Sequence, residues 1–476
     1  MSASRASRLL AAAAAVAILP MSAALSPAAA SVAACRDPGL AVAAPYATVD
    51  GQTHAGSVTL YQGNRAAVTL TQGTEGIADT PERGDSFGSA VATGDFDGDG
   101  CADLAIGASE EFAGTPVPDG ADGNGVVHLL RGTSRGLRPS GTLDVTHLGR
   151  TRGTDRFGAA LVAADLDGDG DDELIVGVPG LEGGGGVALF GMRGREPDGT
   201  GSLITQGTRW VGQDGAESDQ FGAAVAAGDF DGDGKAELAI GAPGDDVGDK
   251  AAAGSFTIAD PRARQAGMYT QNSPGMPGDS EKYDGLGGTL AAGDFNGDGR
   301  TDLAAGVPGE GLDAFQDGPM YGDGAVHVLY GRRGGLTAIG GEFWSRKTAG
   351  VSGRNRPTDR LGSALAAGDL NGDGDAELAI GVPGGNAVLV LAGTRTGGLT
   401  ANHNLTVTGR KGHPGDAYGT SVAITPSGLV VGAPGGGRVV LVPSTVRKGS
   451  YTGLRPATST TLSGPAGALF GFAVTR

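Results

Sequence analysis

Five stretches of the chain place acidic side chains at a spacing that suits a metal ion. Each has an acid or amide at positions 1, 3, 5 and 9 and glycine at position 6, and the first begins at Asp95. Alternate residues can turn their oxygens toward one centre, and the glycine permits a sharp bend. One such stretch alone could be a solvated turn. Five copies in the same register predict loops that each bind a hard divalent cation through oxygens at about 2.3–2.6 Å.

The predicted ligands are the side-chain oxygens at positions 1, 3, 5 and 9 and the main-chain carbonyl at position 7. For loops 1 to 5 in chain order, the residues are Asp95, Asp97, Asp99, Cys101 and Asp103; Asp165, Asp167, Asp169, Asp171 and Glu173; Asp229, Asp231, Asp233, Lys235 and Glu237; Asp294, Asn296, Asp298, Arg300 and Asp302; and Asp369, Asn371, Asp373, Asp375 and Glu377. Asparagine lacks the charge, so loops 4 and 5 should bind more weakly. An oxygen-rich, almost all-protein site favours Ca²⁺ over Mg²⁺, and we expect five structural calcium ions.

The composition is typical of many short strands joined by tight turns. The chain has 91 glycines among 476 residues and only 5% aromatic residues. Its formal net charge is −18, and much of the negative charge lies in the five loops. So acidic a chain is a poor partner for nucleic acid or an anionic membrane surface.

The first 30 residues have the features of a secretory signal peptide. Arg5 and Arg8 precede an apolar run over 9–19, and Ala28-Ala29-Ala30 provides a small-residue cleavage site. The apolar run is too short to span a bilayer, and no later stretch approaches the roughly 20 residues needed. We therefore expect a secreted protein without a transmembrane segment.

Cys35 and Cys101 are the two cysteines, and two interpretations of them are open. In an exported protein a disulfide between them is expected. Alternatively, residues 32–35 resemble a lipoprotein cleavage box, which would acylate Cys35 and anchor the protein to the cell surface. The disulfide is favoured because the apolar core of the signal ends well before Cys35, and because lipidation would leave Cys101 unpaired.

The acidic loops belong to longer repeats. An aromatic residue or leucine followed by glycine lies upstream of each loop, and this glycine is always seven residues before the first loop aspartate. The pairs are Phe87-Gly88, Phe157-Gly158, Phe221-Gly222, Leu286-Gly287 and Leu361-Gly362. The small and apolar residues before the loop predict one buried strand, and the apolar run after it predicts a second. An alternating third strand and a weaker fourth strand complete each unit.

Two further units lack the acidic loop. One contains Tyr418-Gly419, and the other is divided between the chain ends, with Phe470-Gly471 at one end and the apolar runs 39–45 and 56–60 at the other. The sequence therefore predicts an all-β fold, a single seven-bladed β-propeller over 31–476, closed by pairing of N- and C-terminal strands.

The predicted blade boundaries follow from the repeats. Blade 1 is shared between 35–78 and 465–476. The acidic loops lie in blades 2–6, and blade 7 covers about 413–464 without such a loop.

Phe-Gly, an acidic loop and Gly-Ala-Pro in this order resemble the FG-GAP repeat of the integrin α-subunit N-terminal propeller. The resemblance covers nearly all of the chain after the signal. It implies calcium in the five loops on one face and partner binding by loops on the opposite face. The sequence shows no counterpart of the inserted adhesion domain, legs, membrane span or tail of integrins, so an integrin-type receptor is not expected.

Three functions are compatible with these features. The first is an extracellular binding or adhesion module for a protein or glycan, using polar loops such as 113–124, 245–253 and 310–323. The second is an extracellular hydrolase of the phospholipase or esterase kind, although the six histidines are scattered and no catalytic motif is found. The third is a structural component of the cell envelope.

One short motif is best explained by the fold. Arg83-Gly84-Asp85 spells the tripeptide that integrins bind. Its aspartate recurs before other aromatic-glycine pairs, as Asp155, Asp219 and Asp359. This recurrence predicts a structural position for Asp85.

Overall fold

The computed structural model describes residues 35–63, 65–112, 123–193, 196–197, 201–312, 322–445, 452–464 and 468–475. The predicted signal peptide over 1–30 lies outside these residues, as does most of the loops 113–124 and 310–323. Among the described residues, no helix is long and apolar enough to cross a membrane.

Seven antiparallel four-stranded sheets form the blades of a β-propeller, which confirms the predicted fold class. The strands are, in blade 1, Leu40–Ala44, Ser57–Gln62, Arg65–Leu70 and Val474–Thr475; in blade 2, Phe87–Gly94, Asp103–Ala108, Val126–Arg131 and Arg138–Leu143; in blade 3, Ala160–Ala164, Glu173–Val178, Gly186–Phe190 and Ser202–Ile204; in blade 4, Ala224–Gly228, Glu237–Ala242, Ser255–Asp260 and Gln265–Tyr269; in blade 5, Leu290–Gly293, Asp302–Val307, Ala325–Arg332 and Gly335–Trp344; in blade 6, Leu365–Gly368, Glu377–Val382, Ala387–Ala392 and Thr400–Thr408; and in blade 7, Ser421–Thr425, Gly428–Ala433, Arg438–Pro443 and Thr460–Ser463.

The remaining described elements are short. A two-stranded hairpin, Met192–Arg193 with Glu196–Pro197, extends blade 3. The 3₁₀ helices are Val145–Leu148, Pro383–Gly385, Pro414–Asp416, Pro434–Gly436 and Pro456–Thr458.

The two chain ends close the propeller within blade 1, as predicted. Val474–Thr475 pairs antiparallel with Leu40–Ala44, with Val474 opposite Val42. The main-chain N–H of Gly471 donates to the carbonyl of Ala43 at 2.8 Å. The closing strand is shorter than the sequence suggests, because Phe470 precedes it in a turn and is buried there.

The second strand of each blade is covered on both sides by neighbouring structure. Every residue is buried in Asp103–Ala108, Glu237–Ala242, Asp302–Val307 and Glu377–Val382. A strand buried on both faces needs a continuous apolar run and not an alternating one. This accounts for the short apolar runs that follow the acidic loops.

Close contact between blades explains the glycines of the repeat. Gly107 lies in the second strand of blade 2, and a Cβ added there would lie 2.1 Å from the carbonyl oxygen of Gly158, at the start of blade 3. The same approach joins Gly241 to Gly287 and Gly432 to Gly471, with 1.9 Å and 2.0 Å to the carbonyl oxygen. Any side chain here would force adjacent blades apart.

Candidate metal centres

All five acidic loops lie on the same face of the propeller. Each joins the first strand of its blade to the second, as in blade 2, where Phe87–Gly94 ends just before Asp95 and the second strand begins at Asp103. The equivalent connections in blades 3 to 6 place loops 2 to 5 at the same ends of their strands. The fold therefore assembles the predicted residues into a series of separate sites around one face.

Hydrogen bonds within each loop turn its acids toward one centre. In loop 3, Asp229 Oδ1 accepts the N–H of Gly232 at 2.7 Å, and its Oδ2 accepts the N–H of Gly234 at 2.8 Å. Asp231 Oδ1 accepts the N–H of Asp233 at 2.9 Å. Loops 4 and 5 keep this pattern with the amides of Asn296 and Asn371. Asparagine thus preserves the loop conformation while it removes one negative charge.

Three loops bring carboxylate oxygens close enough to share one ion. Oxygens of the following residues lie within 4.8 Å of one another: Asp95, Asp97 and Asp99 in loop 1; Asp165, Asp167 and Glu173 in loop 2; and Asp229, Asp231, Asp233 and Glu237 in loop 3. Two oxygens bound to the same calcium ion are at most about 4.6–5.2 Å apart. The spacing and the hard, anionic donor set both fit Ca²⁺.

The acid at position 9 differs in its contacts from loop to loop. Both oxygens of Asp103 accept main-chain N–H groups, from Phe96 at 3.0 Å and Gly132 at 2.6 Å. Asp302 is held in the same way, by Phe295 and Gly331. The longer Glu173 and Glu237 each accept one N–H at position 2 and belong to their clusters. Both oxygens of Glu377 accept hydrogen bonds, from the N–H of Leu370 and from Asn371 Nδ2.

The comparisons with known proteins agree with this arrangement. A family model described as the FG-GAP repeat matches residues 87–130, 157–190, 221–258, 286–329 and 361–400. These five matches coincide with blades 2 to 6, and each contains one acidic loop. The chain is an FG-GAP repeat protein.

Curated relatives of this FG-GAP protein fall into two groups. Phosphatidylinositol-glycan-specific phospholipase D of Rattus norvegicus is 33% identical over 136 residues, 27% of this chain and 15% of the relative. Integrin alpha-PS2 of Drosophila melanogaster is 33% identical over 172 residues, 34% and 11% of the two chains. Integrin alpha-5 of Xenopus laevis is 29% identical over 237 residues, 47% and 20% of the two chains. The FG-GAP protein thus spans a fifth or less of the length of these relatives.

Among solved structures, an exotype rhamnogalacturonan lyase aligns with a TM-score of 0.38 at 14% identity, over 86% of this chain and 64% of the other. The integrin relatives and the repeats together show that the propeller is of the integrin-α-like FG-GAP kind.

Burial raises the pKa of every position-9 acid in the FG-GAP protein. The pKa is raised to about 7 for Asp103, Glu173, Glu237 and Asp302, and to about 8 for Glu377. Neighbouring loop acids raise it further, while main-chain N–H donors oppose the shift. Without a cation, these buried acids therefore take up their negative charge only as the pH rises through about 7 to 8.

The residues at position 7 make one contact that the sequence predicted and two that it did not. Cys101 forms a disulfide with Cys35, the pairing favoured over lipidation. Lys235 of loop 3 donates from Nζ to the main-chain carbonyl of Asp167 in loop 2 at 2.7 Å. Asp171 of loop 2 lies against Gly98 of loop 1, where an added Cβ would meet its Oδ1 at 2.0 Å. Adjacent loops are therefore in direct contact.

Main-chain hydrogen bonds strengthen these links between loops. The N–H of Asp172 donates to the carbonyl of Asp95 at 2.8 Å, and Asp172 Oδ2 accepts the N–H of Asp95 at 3.0 Å. The N–H of Thr301 bonds to Asp229, and that of Ala376 to Asp294. Loop position 8 thus binds position 1 of the loop before it. These hydrogen bonds could be predicted from the repeat spacing only if the packing of adjacent blades were already known.

Arginines from outside the loops also enter the clusters. Arg131 Nη1 lies 3.2 Å from Asp97 Oδ2, and Arg262 Nη2 lies 3.1 Å from Glu237 Oε1. Arg131 ends the third strand of blade 2, and Arg262 lies in the turn after the third strand of blade 4. Their positive charge partly compensates the acids and would compete with a cation for them.

Proposed function

We propose that this protein is an exported calcium-binding propeller that acts as an extracellular binding or adhesion module for a protein or glycan partner. The observation that carries the proposal is the series of acid clusters on one face of a closed integrin-α-like propeller. The opposite face is left for partner binding. The Cys35–Cys101 disulfide supports an oxidising, extracellular location.

In this proposal each of the five loops holds one Ca²⁺ through the oxygens at positions 1, 3, 5 and 9 and the carbonyl at position 7. The metal neutralises clustered carboxylates and fixes the turn between the first two strands. Ligand binding to the folded form alone adds about 2.7 kcal/mol per site at a hundredfold excess over Kd. The ions are therefore structural, and the role of the protein lies elsewhere on its surface.

The position-9 acids contribute unequally to the proposed sites. Since Asp103 already accepts two main-chain N–H groups, it contributes less to the ion of loop 1 than Asp95, Asp97 and Asp99. In loop 3, Glu237 reaches the cluster and binds the ion directly. Loop 3 then supplies the strongest of the five sites.

The surface opposite the calcium loops has a polar cavity of about 750 Å³. It lies where blade 3 begins and where its second strand ends, and its lining includes Arg150, Thr151, Glu182 and Glu217. Both signs of charge and a hydroxyl give it hydrogen-bond donors and acceptors suited to a glycan or a polar peptide. We propose this cavity as part of the partner surface.

A glycan array and a pull-down from the native medium, each with calcium and with chelator, test the proposal. We expect calcium-dependent capture that is lost in the Arg150→Ala/Glu217→Ala variant. Arg264→Ala, an exposed change on the outer hairpin of blade 4, is the control and should bind normally. Capture that is the same in the cavity variant and the control would exclude this surface.

A hydrolase is the second candidate. The partial similarity to phosphatidylinositol-glycan-specific phospholipase D is the observation that favours it. A screen against phosphodiesters, esters and glycosides separates the two functions, because a binding module shows no turnover.

A further inference from the structure

A group of acids lies at the opposite end of blade 2 from loop 1. Asp85 precedes the first strand, and Glu111 follows the second strand, so both are on the face away from the calcium loops. With Glu82 they place three carboxylate oxygens within 4.8 Å of one another. This is the same spacing as in the calcium loops.

Two of these three carboxylates are deeply buried, and Glu82 is exposed. Asp85 is 2% exposed and Glu111 is 1% exposed. The charges of Asp85, Asp79 and Glu82 act on Glu111 and disfavour its ionised form. Two adjacent buried carboxylates are costly unless a cation or a proton compensates them.

A buried amide completes the group. Gln72 is 1% exposed, and its Nε2 donates to Glu111 Oε2 at 2.5 Å. Its Oε1 is buried and has no hydrogen-bond partner among the described residues. Turning the amide by half a rotation, which keeps the shape of the side chain, presents this oxygen to the carboxylates.

We propose that Gln72, Glu82, Asp85 and Glu111, the Gln72 cluster, bind a hard divalent cation at a site separate from the five loops. The cluster offers four protein oxygens, three of them from carboxylates, and water completes the coordination. Such a donor set suits Ca²⁺. The site lies beyond the proposed function, because it uses none of the loop residues and is on the other face.

Packing alone does not require an acid at position 111. Leu181 occupies the corresponding place in blade 3, three residues after the end of the second strand, and is 2% exposed. In both blades the residue donates its N–H to the carbonyl three residues earlier. An uncharged leucine therefore fills this place equally well, so burial alone does not account for the glutamate in blade 2.

The same four residue types recur at identical spacing in a later blade. Gln271, Glu281, Asp284 and Glu310 repeat the set. Gln271 Nε2 donates to Glu310 Oε2 at 2.8 Å, and the N–H of Glu281 donates to Asp284 Oδ2 at 2.6 Å. The N–H of Glu82 bonds Asp85 Oδ2 at the same 2.6 Å. The repeat therefore produces the same pair of hydrogen bonds twice.

Native mass spectrometry in calcium solution, with the ion count per chain, tests the proposal. Glu111→Gln removes one charge and retains an amide that can bond Gln72, so we expect one ion fewer than in the wild type. Asp85→Asn keeps an oxygen for the N–H of Glu82 and should lose the same ion. Glu75→Gln, at an exposed acid near Gln72, is the control and should keep the wild-type count.

A loop variant separates this site from the calcium loops. Asp97→Ala, which removes the position-3 oxygen altogether, should lose the ion of loop 1, and the double variant with Glu111→Gln should lose two. If Glu111→Gln and Asp85→Asn, both folded by circular dichroism, keep the full count, a proton and not a metal compensates the buried acids, and the proposal is wrong.

Discussion

The guanidinium of Arg262 lies 3.1 Å from the carboxylate of Glu237, inside the acid cluster of loop 3. The same arginine is 3.3 Å from Asp260 and 3.9 Å from Asp233. The shortest of the three contacts is to Glu237, the acid at position 9 of the loop. Arg262 thus supplies positive charge to the acids that a calcium ion would otherwise compensate, and it stabilises the loop in the absence of the ion.

Replacing Arg262 by glutamine should tighten calcium binding at loop 3. The arginine competes with the ion for Glu237, and an ion pair of this kind is worth about 0.5–1 kcal/mol. We expect the affinity of one site to rise by about two- to fivefold, as measured by isothermal titration calorimetry. The metal-free variant should melt at a lower temperature than the metal-free wild type.

Arg264→Gln is the matched control for this change. Arg264 is exposed and lies two residues further along the same turn, so its loss alters net charge without altering the cluster. If both variants shift calcium affinity equally, the effect comes from net charge, and the proposed competition is wrong.

The pH dependence of stability should reveal the position-9 acids. Their pKa is raised from ordinary values of 3.8 or 4.5 to about 7 for Glu237 and Asp302 and to about 8 for Glu377. Because the folded metal-free protein binds these protons more tightly than the unfolded chain, their contribution is complete below the ordinary pKa values. It is lost as the pH rises through about 7 to 8.

Two buried histidines act in the opposite direction at lower pH. Burial lowers the pKa of His128 and of His327 from 6.5 to about 4, and each ring packs edge-on against an aromatic ring, that of Phe87 or Phe343. Their contribution is present above about pH 6.5 and is lost as the pH falls toward 4. The two effects overlap below about pH 6.5, and above that pH only the acids change the stability.

We therefore expect the melting temperature of the chelated protein to fall as the pH rises from about 6 to about 8.5, where the acids dominate. Bound calcium should flatten this decline, because the ion compensates the ionised carboxylates. Differential scanning calorimetry in buffers of matched ionic strength measures both curves. The Glu237→Gln variant should show a shallower decline without metal, and a melting temperature that rises over this range would contradict the assignment.

The sequence predicted the parts of the fold that depend on local pattern. The fixed distance from Phe87-Gly88 to Asp95, repeated five times, contained the strand–loop–strand unit and its glycine requirement. The split unit at Phe470 and Leu40 predicted closure, and the pairing of Val474 with Val42 confirms it. The recurrence of Asp85 likewise predicted a structural residue, and this side chain is buried with only 2% exposed.

Contacts between blades could not be predicted in this way. Lys235 and Asp167 are 68 positions apart in the sequence. The periodicity of the strands does not determine whether two residues so far apart are in contact. Their distance depends on how one blade is placed beside the next. The entry of Arg262 into loop 3 likewise depends on the twist of a blade. The different side-chain lengths of aspartate and glutamate at position 9 are visible in the sequence. Whether an oxygen of that side chain is free for a metal ion depends on the nearby hydrogen-bond donors, which the sequence does not show.

Contact between adjacent loops can be tested at Gly98. Its φ is +67°, and an added Cβ would lie 2.0 Å from Asp171 Oδ1. We expect Gly98→Ala to lower the free energy of unfolding by roughly 1–3 kcal/mol. It should also weaken calcium binding in loops 1 and 2 together, because Asp171 must move. Urea unfolding and calcium titration measure the two effects.

Gly100→Ala provides the control for backbone strain. Gly100 also has a left-handed φ, +82°, but an added Cβ would meet nothing within 4 Å. Gly100→Ala should lower the free energy of unfolding by about 1 kcal/mol through backbone strain alone. It should leave calcium binding in loop 2 unchanged. If the two variants are equally destabilised and neither changes loop 2, the contact between loops has no energetic role.

The Cys35–Cys101 disulfide joins the start of the described chain to position 7 of loop 1, across 66 residues of sequence. Closing so long a segment restricts the unfolded chain, and bonds of this kind contribute about 2–4 kcal/mol. We expect the Cys35→Ser/Cys101→Ser variant to lose about this much unfolding free energy in urea. Because Cys101 also holds the carbonyl at position 7, calcium binding should weaken in loop 1 and not in loop 3. Wild-type protein reduced under the same conditions should match the variant, whereas a variant as stable as the oxidised wild type would show that blade packing alone holds this end of the chain.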